Sequence, residues 1–499
     1  MSAGLAAYLD KGASLGRDAP CLTQDGVSLS YGDVQDLSHA VARALARSGV
    51  RAGDKVAILS ANDAHAFACV YGIARRGAVW CPINPRNTMA ENREQLALFD
   101  CVALIYARAY AEIVDGLNLP TAVCLDELDA WLADGADFTD TSPDDVVLLV
   151  GTGGTTGRPK GVVHTDRSIE TMTGLALMGY PFGPDRPVYL AMAPLTHAAG
   201  VLCFPVMALG GEVVVMPKPD VGAFLALVER HRVTHTFLPP TLIYMLLAHE
   251  KLAATDLSSL RCFWYGAAPM STERLEQALT AIGPVMAQLF GQVEAPMFIS
   301  MLPPSAHFHA DGTVARERMS SAGRPSPLVT VAIMAEDGTL LPPGERGEIV
   351  VRGSLVMAGY YKNPEATAEA SRHGWHHTGD IGYLDDDNYL FIVDRAKDMI
   401  ITGGFNVYSA EVEQAMMAHP AVRDCGVVGL PDEKWGERVV AVVQPQAGAE
   451  VSDAELVAFA KERIGSVKAP KEVHLWPDLP RSAVGKVLKT TIRRRLLSG

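Results

Sequence analysis

At 499 residues the chain exceeds the size at which a single hydrophobic core keeps growing, so at least one domain boundary is expected. Hydrophobic residues make up 48% and charged residues 20%, which excludes a disordered polyelectrolyte. The formal net charge of -14 excludes a general nucleic-acid surface, because such surfaces need dense Lys and Arg to displace phosphate counterions.

Residues 31–49 predict an amphipathic helix, with Val34, Leu37, Val41 and Leu45 at helical spacing, followed by a buried strand at 55–59 and a helix at 64–76. Strand-like runs recur at 78–81, 102–105, 146–150, 188–192 and 212–216 with helical stretches between, an alternation that predicts βαβ units and largely parallel sheets. Past about residue 325 the pattern changes to short alternating strands at 329–334 and 348–352, broken by Asp337-Gly338 and Pro342-Pro343-Gly344 turns. This predicts a small antiparallel β subdomain whose final strand is 389–393. The charged joint Asp394-Arg395-Ala396-Lys397-Asp398 is placed at the domain boundary, which divides the chain into residues 1–394 and 395–499. Beyond it, helices at 410–418 and 453–464 and strands at 424–429 and 438–444 predict a small α+β module.

Residues 395–499 carry 15 Lys and Arg against 13 Asp and Glu, so nearly all the acidity lies in the first part. That contrast fits either a module that meets a phosphate-rich small molecule or a fluctuation of composition. The eight cysteines form no Cys-x-x-Cys pair and no Cys/His cluster, so neither zinc nor disulfides are expected and a reducing cytoplasm fits. The opening residues lack a signal-peptide pattern, and no apolar run reaches membrane-spanning length, so no integral membrane segment is expected.

The strongest local signal is Gly151-Thr152-Gly153-Gly154-Thr155-Thr156-Gly157-Arg158-Pro159-Lys160-Gly161, directly after the predicted strand at 146–150. Glycines let the backbone approach an anion, hydroxyls donate to phosphate oxygens, and a lysine adds charge, so this is a phosphate-binding loop. It is not a Walker A loop, because Pro159 stands where Gly must precede the Lys.

This loop resembles the signature of the adenylate-forming superfamily of acyl-CoA synthetases, carrier-protein-loading adenylation domains and luciferases. Further matches follow in the family's order: Pro194 to His197, Gly266 to Pro269, Phe290 to Glu294, Gly374 to Asp380, Asp394 to Asp398, Gly403 to Asn406, and Pro480 to Lys486. The resemblance spans nearly the whole chain and implies ATP, Mg2+, CoA and a small-molecule carboxylic acid as cofactors and partners. A homodimer is left open.

The resemblance assigns Thr152, Gly153, Gly154, Thr155, Thr156, Gly157 and Lys160 to the nucleotide phosphates. It sets Phe290 beside the Gly266-Ala267-Ala268 turn, with Gly291, Gln292 and Val293, around adenine and the AMP phosphate. Glu294 would hold Mg2+, Asp380 the ribose hydroxyls, and Arg395 would also reach the nucleotide. Lys486 would be the main catalytic side chain, stabilising charge as pyrophosphate is displaced in line, and its loss is expected to slow adenylation by about 10²–10³-fold or more. Lys397 would be the hinge about which the C-terminal domain turns, and Gly403 and Gly404 would line a pantetheine tunnel in the second orientation. His197 would lie between the ATP and acid sites, with Ala198, Gly200, Trp264, Gly266, Ala295, Pro296 and Met297 around an apolar acid.

Two positions depart from the family pattern. Gly153 replaces the usual Ser, and Val293 stands where a Thr hydroxyl generally meets the AMP phosphate, a bond valine cannot donate. The expected function is ATP-dependent activation of a fatty or aromatic monocarboxylate and its transfer to CoA. Loading of a carrier protein and a nucleotide-sensing protein with weakened catalysis remain alternatives.

Overall fold

The structure is a computed structural model that describes residues 4–114, 116, 117, 119–133, 145–152, 160–481 and 487–498. The first long helix, Tyr31–Arg47, begins where sequence signals demand: the Ser30 side chain accepts the Asp33 amide and the Asp33 carboxylate accepts the Ser30 amide. Such a reciprocal cap is worth about 1 kcal/mol. The helix buries Tyr31, Val34, Val41 and Leu45 and packs on the helix Ala64–Arg75.

Two large sheets follow from the predicted strands. A seven-stranded sheet runs Gly359–Tyr360, Lys160–Thr165, Val146–Thr152, Val79–Ile83, Lys55–Leu59, Cys101–Tyr106, Thr121–Cys124. A nine-stranded sheet runs Arg324–Pro325, Ala295–Leu302, Met286–Gln292, Cys262–Tyr265, His235–Leu238, Val188–Ala191, Glu212–Val215, Pro20–Gln24, Val27–Ser30. Their centres are parallel, as expected, but each sheet carries an antiparallel hairpin one strand in from an edge: Val146–Thr152 against Lys160–Thr165, and Met286–Gln292 against Ala295–Leu302. Side chains from both sheets, Trp80 and Val147 from one and Tyr189 and Trp264 from the other, meet in one buried cluster. Each fully buried apolar side chain there contributes roughly 1.5–3 kcal/mol, so the two sheets share one core.

The predicted antiparallel subdomain is present as Leu340–Leu341, Thr330–Met334, Gly347–Arg352, His376–Leu384, Leu390–Arg395. The expected boundary after residue 394 falls inside its last strand, where Arg395 still pairs with Asp380, so the β subdomain reaches one residue further. The C-terminal module pairs Val422–Asp432 with Gly436–Pro445 and adds Glu472–Leu475 beside them, under the helices Ser409–Met417 and Asp453–Lys468. Among the described residues, no helix is long and apolar enough to cross a membrane.

Candidate active site

Both hairpins present their tips to the same region. Thr152 and Lys160 are paired at the end of the first hairpin; Gly153, Gly154, Thr155, Thr156 and Gly157, which join them in sequence, lie outside the described residues. In the second hairpin Gln292 pairs with Ala295, which makes Val293 and Glu294 its two-residue tip. The tip is fixed from behind: buried His164 donates through Nε2 to the Val293 carbonyl at 2.7 Å, and the Met357 amide donates to the Glu294 carbonyl at 2.8 Å. Burial lowers the His164 pKa to about 4, so the ring is neutral at physiological pH.

Tyr360 joins the two tips. Its hydroxyl donates to Glu294 Oε1 at 2.8 Å, and the Lys160 ammonium lies 4.8 Å from the centre of its ring. Burial, followed by the Glu294 charge, pushes the Tyr360 pKa up, so the phenol stays protonated and donates. Among the described residues no group of three His, Cys, Asp or Glu is placed to hold a metal unaided. A cation at Glu294 would therefore take most of its ligands from substrate phosphates and water, the arrangement Mg2+ favours.

At the base of the same tip, Gln292 reaches the β subdomain. His376 Nε2 lies 3.0 Å from Gln292 Oε1, and Gln292 Nε2 donates to the Thr378 carbonyl at 3.0 Å and to Asp380 Oδ2 at 3.2 Å. Arg395 Nε lies 3.3 Å from Asp380 Oδ1, on the neighbouring strand. A carboxylate only 5% exposed is thus approached by an amide and a guanidinium. Lys160, Tyr360, Glu294, Gln292, Asp380 and Arg395 form one connected path.

Gly266 sits where the strand Cys262–Tyr265 ends against its neighbour. A Cβ built there would stand 2.4 Å from the Leu289 carbonyl, so glycine is required. Ala267 follows in the left-handed region at φ 68°, and Ala267 and Ala268 are exposed, which leaves an open edge of backbone. Phe290, half-buried, packs against both the main core and the core of the β subdomain, and Gly291 is likewise half-buried.

The residues expected around the acid differ in burial. His197 heads the short helix Ala198–Val201 half-buried, with Nδ1 2.9 Å from Thr196 Oγ1, and Ala198 is also half-buried. Gly200 is not small in order to leave room: a Cβ there would lie 1.9 Å from the Leu195 carbonyl. Trp264 and Ala295 carry no exposed surface, and Trp264 packs among Tyr180, Phe182, Tyr189 and His235 in the main core. Pro296 and Met297 are also buried, Met297 at φ 65°.

In the C-terminal part, Lys397 is exposed in the short turn Ala396–Asp398, and partial desolvation of its ammonium lowers its pKa. Gly403 and Gly404 form the turn between Ile400–Thr402 and Phe405–Val407 with φ of 57° and 82°. Gly403 faces the Trp435 ring, within its own module. Lys486 lies outside the described residues, between Arg481 and Val487, which form an antiparallel bridge. Sequence reasoning missed Tyr360 and the Gln292 contact of His376. The Gly359-Tyr360-Tyr361 run carried a signal, an aromatic pair after a glycine near the end of the parallel region, but not its partner.

Residues 9–361 match the family described as AMP-binding enzyme, and residues 411–486 match the AMP-binding enzyme C-terminal domain. The chain is 37% identical over 513 residues to the medium/long-chain-fatty-acid–CoA ligase FadD8 of Mycobacterium tuberculosis, covering 97% of this chain and 88% of that one. It is 37% identical over 496 residues to a feruloyl-CoA synthase of an Amycolatopsis species, covering 99% of each. Among solved structures, it superposes on the amide bond synthetase McbA from Marinactinospora thermotolerans with a TM-score of 0.89 at 30% identity, covering 98% of this chain and 99% of that one. With the motif order, the connected path from Lys160 to Arg395 and these matches in hand, the chain belongs to the AMP-binding enzyme family and is an adenylate-forming acyl-CoA synthetase.

Proposed function

We propose that this enzyme activates an apolar monocarboxylic acid, fatty or aromatic, and that CoA is the acceptor. The observation that carries the reading is the path Lys160–Tyr360–Glu294 at one end of a hairpin tip and Gln292–Asp380–Arg395 at the other. A phosphate-side cation and carboxylate and a buried ribose-side carboxylate are thereby held apart on one rigid turn, as a nucleotide demands.

In the first step a carboxylate oxygen of the acid attacks the α-phosphorus of ATP, and the bond to pyrophosphate breaks. Lys160 and Thr152 would hold the phosphates, Asp380 the ribose hydroxyls, and Lys486 would meet the charge that builds on the α-phosphoryl oxygens. Glu294 would hold Mg2+, which supplies charge neutralisation at the phosphates. In the second step the CoA thiolate attacks the acyl carbonyl and AMP leaves. A turn of the C-terminal domain about Lys397 would exchange Lys486 for the Gly403–Gly404 turn.

The acid class is supported by the apolar or small character of Ala198, Pro296 and Met297, with no Lys or Arg among the residues that the resemblance sets around the acid. The fatty-acid and feruloyl relatives point the same way. Eight buried free cysteines suit a reducing cytoplasm. The test is pyrophosphate release with ATP-Mg2+ from fatty, cinnamic, arylpropionic and benzoic acids, with and without CoA, with mass detection of products. Acyl-CoA is the expected product. An acyl-AMP that persists with CoA and disappears on adding an amine or a carrier protein would replace CoA as acceptor.

A further inference from the structure

Outside the nucleotide path, a polar cluster lies beside the hinge. Asp394, 4% exposed, is the last residue but one of the final β-subdomain strand, three residues before Lys397. Its carboxylate accepts the Ser409 amide and the Ser409 hydroxyl, the latter at 2.8 and 2.9 Å, at the N-terminus of the helix Ser409–Met417. The positive end of a helix favours such an anion. Lys489, the first residue of the helix Lys489–Ser498, donates to Ser409 Oγ at 2.6 Å and to Glu413 Oε1 at 2.8 Å. Glu413 also accepts the Val427 amide at 2.8 Å. The hydroxyl of Ser409 thus receives from Lys489 and gives to Asp394, which links residues on both sides of Lys397 to the start of the last helix.

One half-buried ammonium faces the buried carboxylate of Asp394 and the half-buried carboxylate of Glu413. Burial pushes both carboxyl groups up, Glu413 to about 7. Burial opposes the charge on Lys489, but Glu413 and Asp394 outweigh it and keep the ammonium protonated. The cluster depends on that one cation. Lys489 stands three residues after Lys486 in sequence, and its charge is felt at the hinge, where it helps lower the Lys397 pKa.

We propose that Lys489 is a positioning residue for adenylation: through Ser409 and Asp394 it ties the start of the last helix, three residues after Lys486 in sequence, to the N-terminal side of the hinge. This tie opens before the C-terminal domain turns for thioester formation. The inference rests on the assignment of Lys486 and Lys397 above. Its physical ground is that Asp394 precedes Lys397 while Ser409 and Lys489 follow it, so rotation at Lys397 moves the partners relative to Asp394.

The two half-reactions separate this role from simple support of the fold. Acid-dependent pyrophosphate–ATP exchange reads adenylation, and conversion of supplied acyl-AMP to acyl-CoA reads the second step. Lys489→Met is expected to slow exchange at least tenfold through kcat, with the KM values for acid and ATP within about twofold, and to leave thioester formation within about threefold of wild type. Asp394→Asn, which keeps the shape of the tie but weakens it, is expected to shift the ratio of the two steps in the same direction by a smaller factor. If Lys489→Met unfolds, Lys489→Met with Glu413→Gln removes the uncompensated charge and takes its place. Equal loss in both steps, or no loss in either for these variants, overturns the proposal. Lys486→Ala in parallel keeps the parent reading separate: if it retains exchange, the catalytic assignment fails, whereas if it loses exchange and Lys489→Met does not, only the positioning role fails.

Discussion

The hydroxyl of Tyr360 donates to Glu294 Oε1 at 2.8 Å, and this bond ties a hairpin tip of the nine-stranded sheet to the edge strand Gly359–Tyr360 of the seven-stranded sheet. With Oε1 engaged, the carboxylate is held in one orientation, and Oε2 has no protein donor among the described residues. A hydrogen bond to a charged group contributes roughly 1.5–3 kcal/mol. Tyr360→Phe keeps the ring under Lys160 but releases the carboxylate. Its kcat for pyrophosphate release is expected to fall by about tenfold and its Mg2+ requirement to rise, since about 1.4 kcal/mol is a factor of ten in rate. A Mg2+ titration of the wild type and the variant checks this, and superimposable curves would remove Tyr360 from the site.

His376 acts one step further back. By holding Gln292 Oε1 it turns the amide nitrogen toward Thr378 and Asp380, where an amide donor steadies the ionised carboxylate. His376→Leu fills the buried space without that donor. The KM for ATP is expected to rise by about three- to tenfold while kcat and the KM for the acid stay within about twofold. An acid KM that rose in step with the ATP KM would mean that the substitution had disturbed the core instead.

Much of this was legible in the chain itself, and the limits have physical causes. The strand Lys55–Leu59 and the helix Tyr31–Arg47 follow from local periodicity and capping, which neighbouring residues suffice to specify. The pairing of Pro20–Gln24 with Glu212–Val215 joins strands about 190 residues apart, and no local pattern sets that register. The resemblance sets Trp264 beside the acid by its position in the motif order, which says nothing of the face its side chain takes. A strand buried on both faces sends alternate side chains into different cores: Trp264 enters the core shared by the two sheets, while Phe263 and Tyr265 enter the opposite one. Gly200 shows the same ambiguity, since a small side chain serves a roomy cavity and a close backbone contact equally well in sequence. Asp380 and Arg395 were each legible as motif residues, but that they are direct strand partners was not.

Val293 departs from the family pattern at the hairpin tip, and the structure says why substitution there is tolerable. The backbone of the tip is held by His164 and Met357 through carbonyls, not through the Val293 side chain, which is half-buried. Threonine is close in shape to valine and restores a hydroxyl facing the nucleotide phosphate in the family resemblance. Val293→Thr is expected to keep the adenylation rate or to raise it by up to about tenfold, the factor for one hydrogen bond to a charged group. Exchange kinetics on the two proteins decide it, and a drop of tenfold or more would show that the apolar side chain is needed at the tip.

The buried histidines set the acid limit of stability. His164 and His307 have pKa values lowered to about 4 and His235 to about 3, in each case with burial as the largest cause. The unfolded chain binds protons at these positions below its usual value of about 6.5, and the native chain does not until far lower pH. Their contribution is therefore complete above pH about 6.5 and lost as pH falls toward about 4. A shift of this size at His164 is worth roughly 3 kcal/mol. Glu413 runs the other way: its pKa is raised to about 7, so the stability it contributes is present below about 4.5 and is lost as pH rises through about 7. Thermal midpoints measured from pH 8 to pH 4.5 are expected to peak near neutrality and to fall steeply on the acid side. His164→Gln retains a donor for the Val293 carbonyl but cannot titrate, so its acid slope is expected to be shallower than that of the wild type. An unchanged slope would mean that His164 is protonated in the native state and holds its carbonyl as a cation.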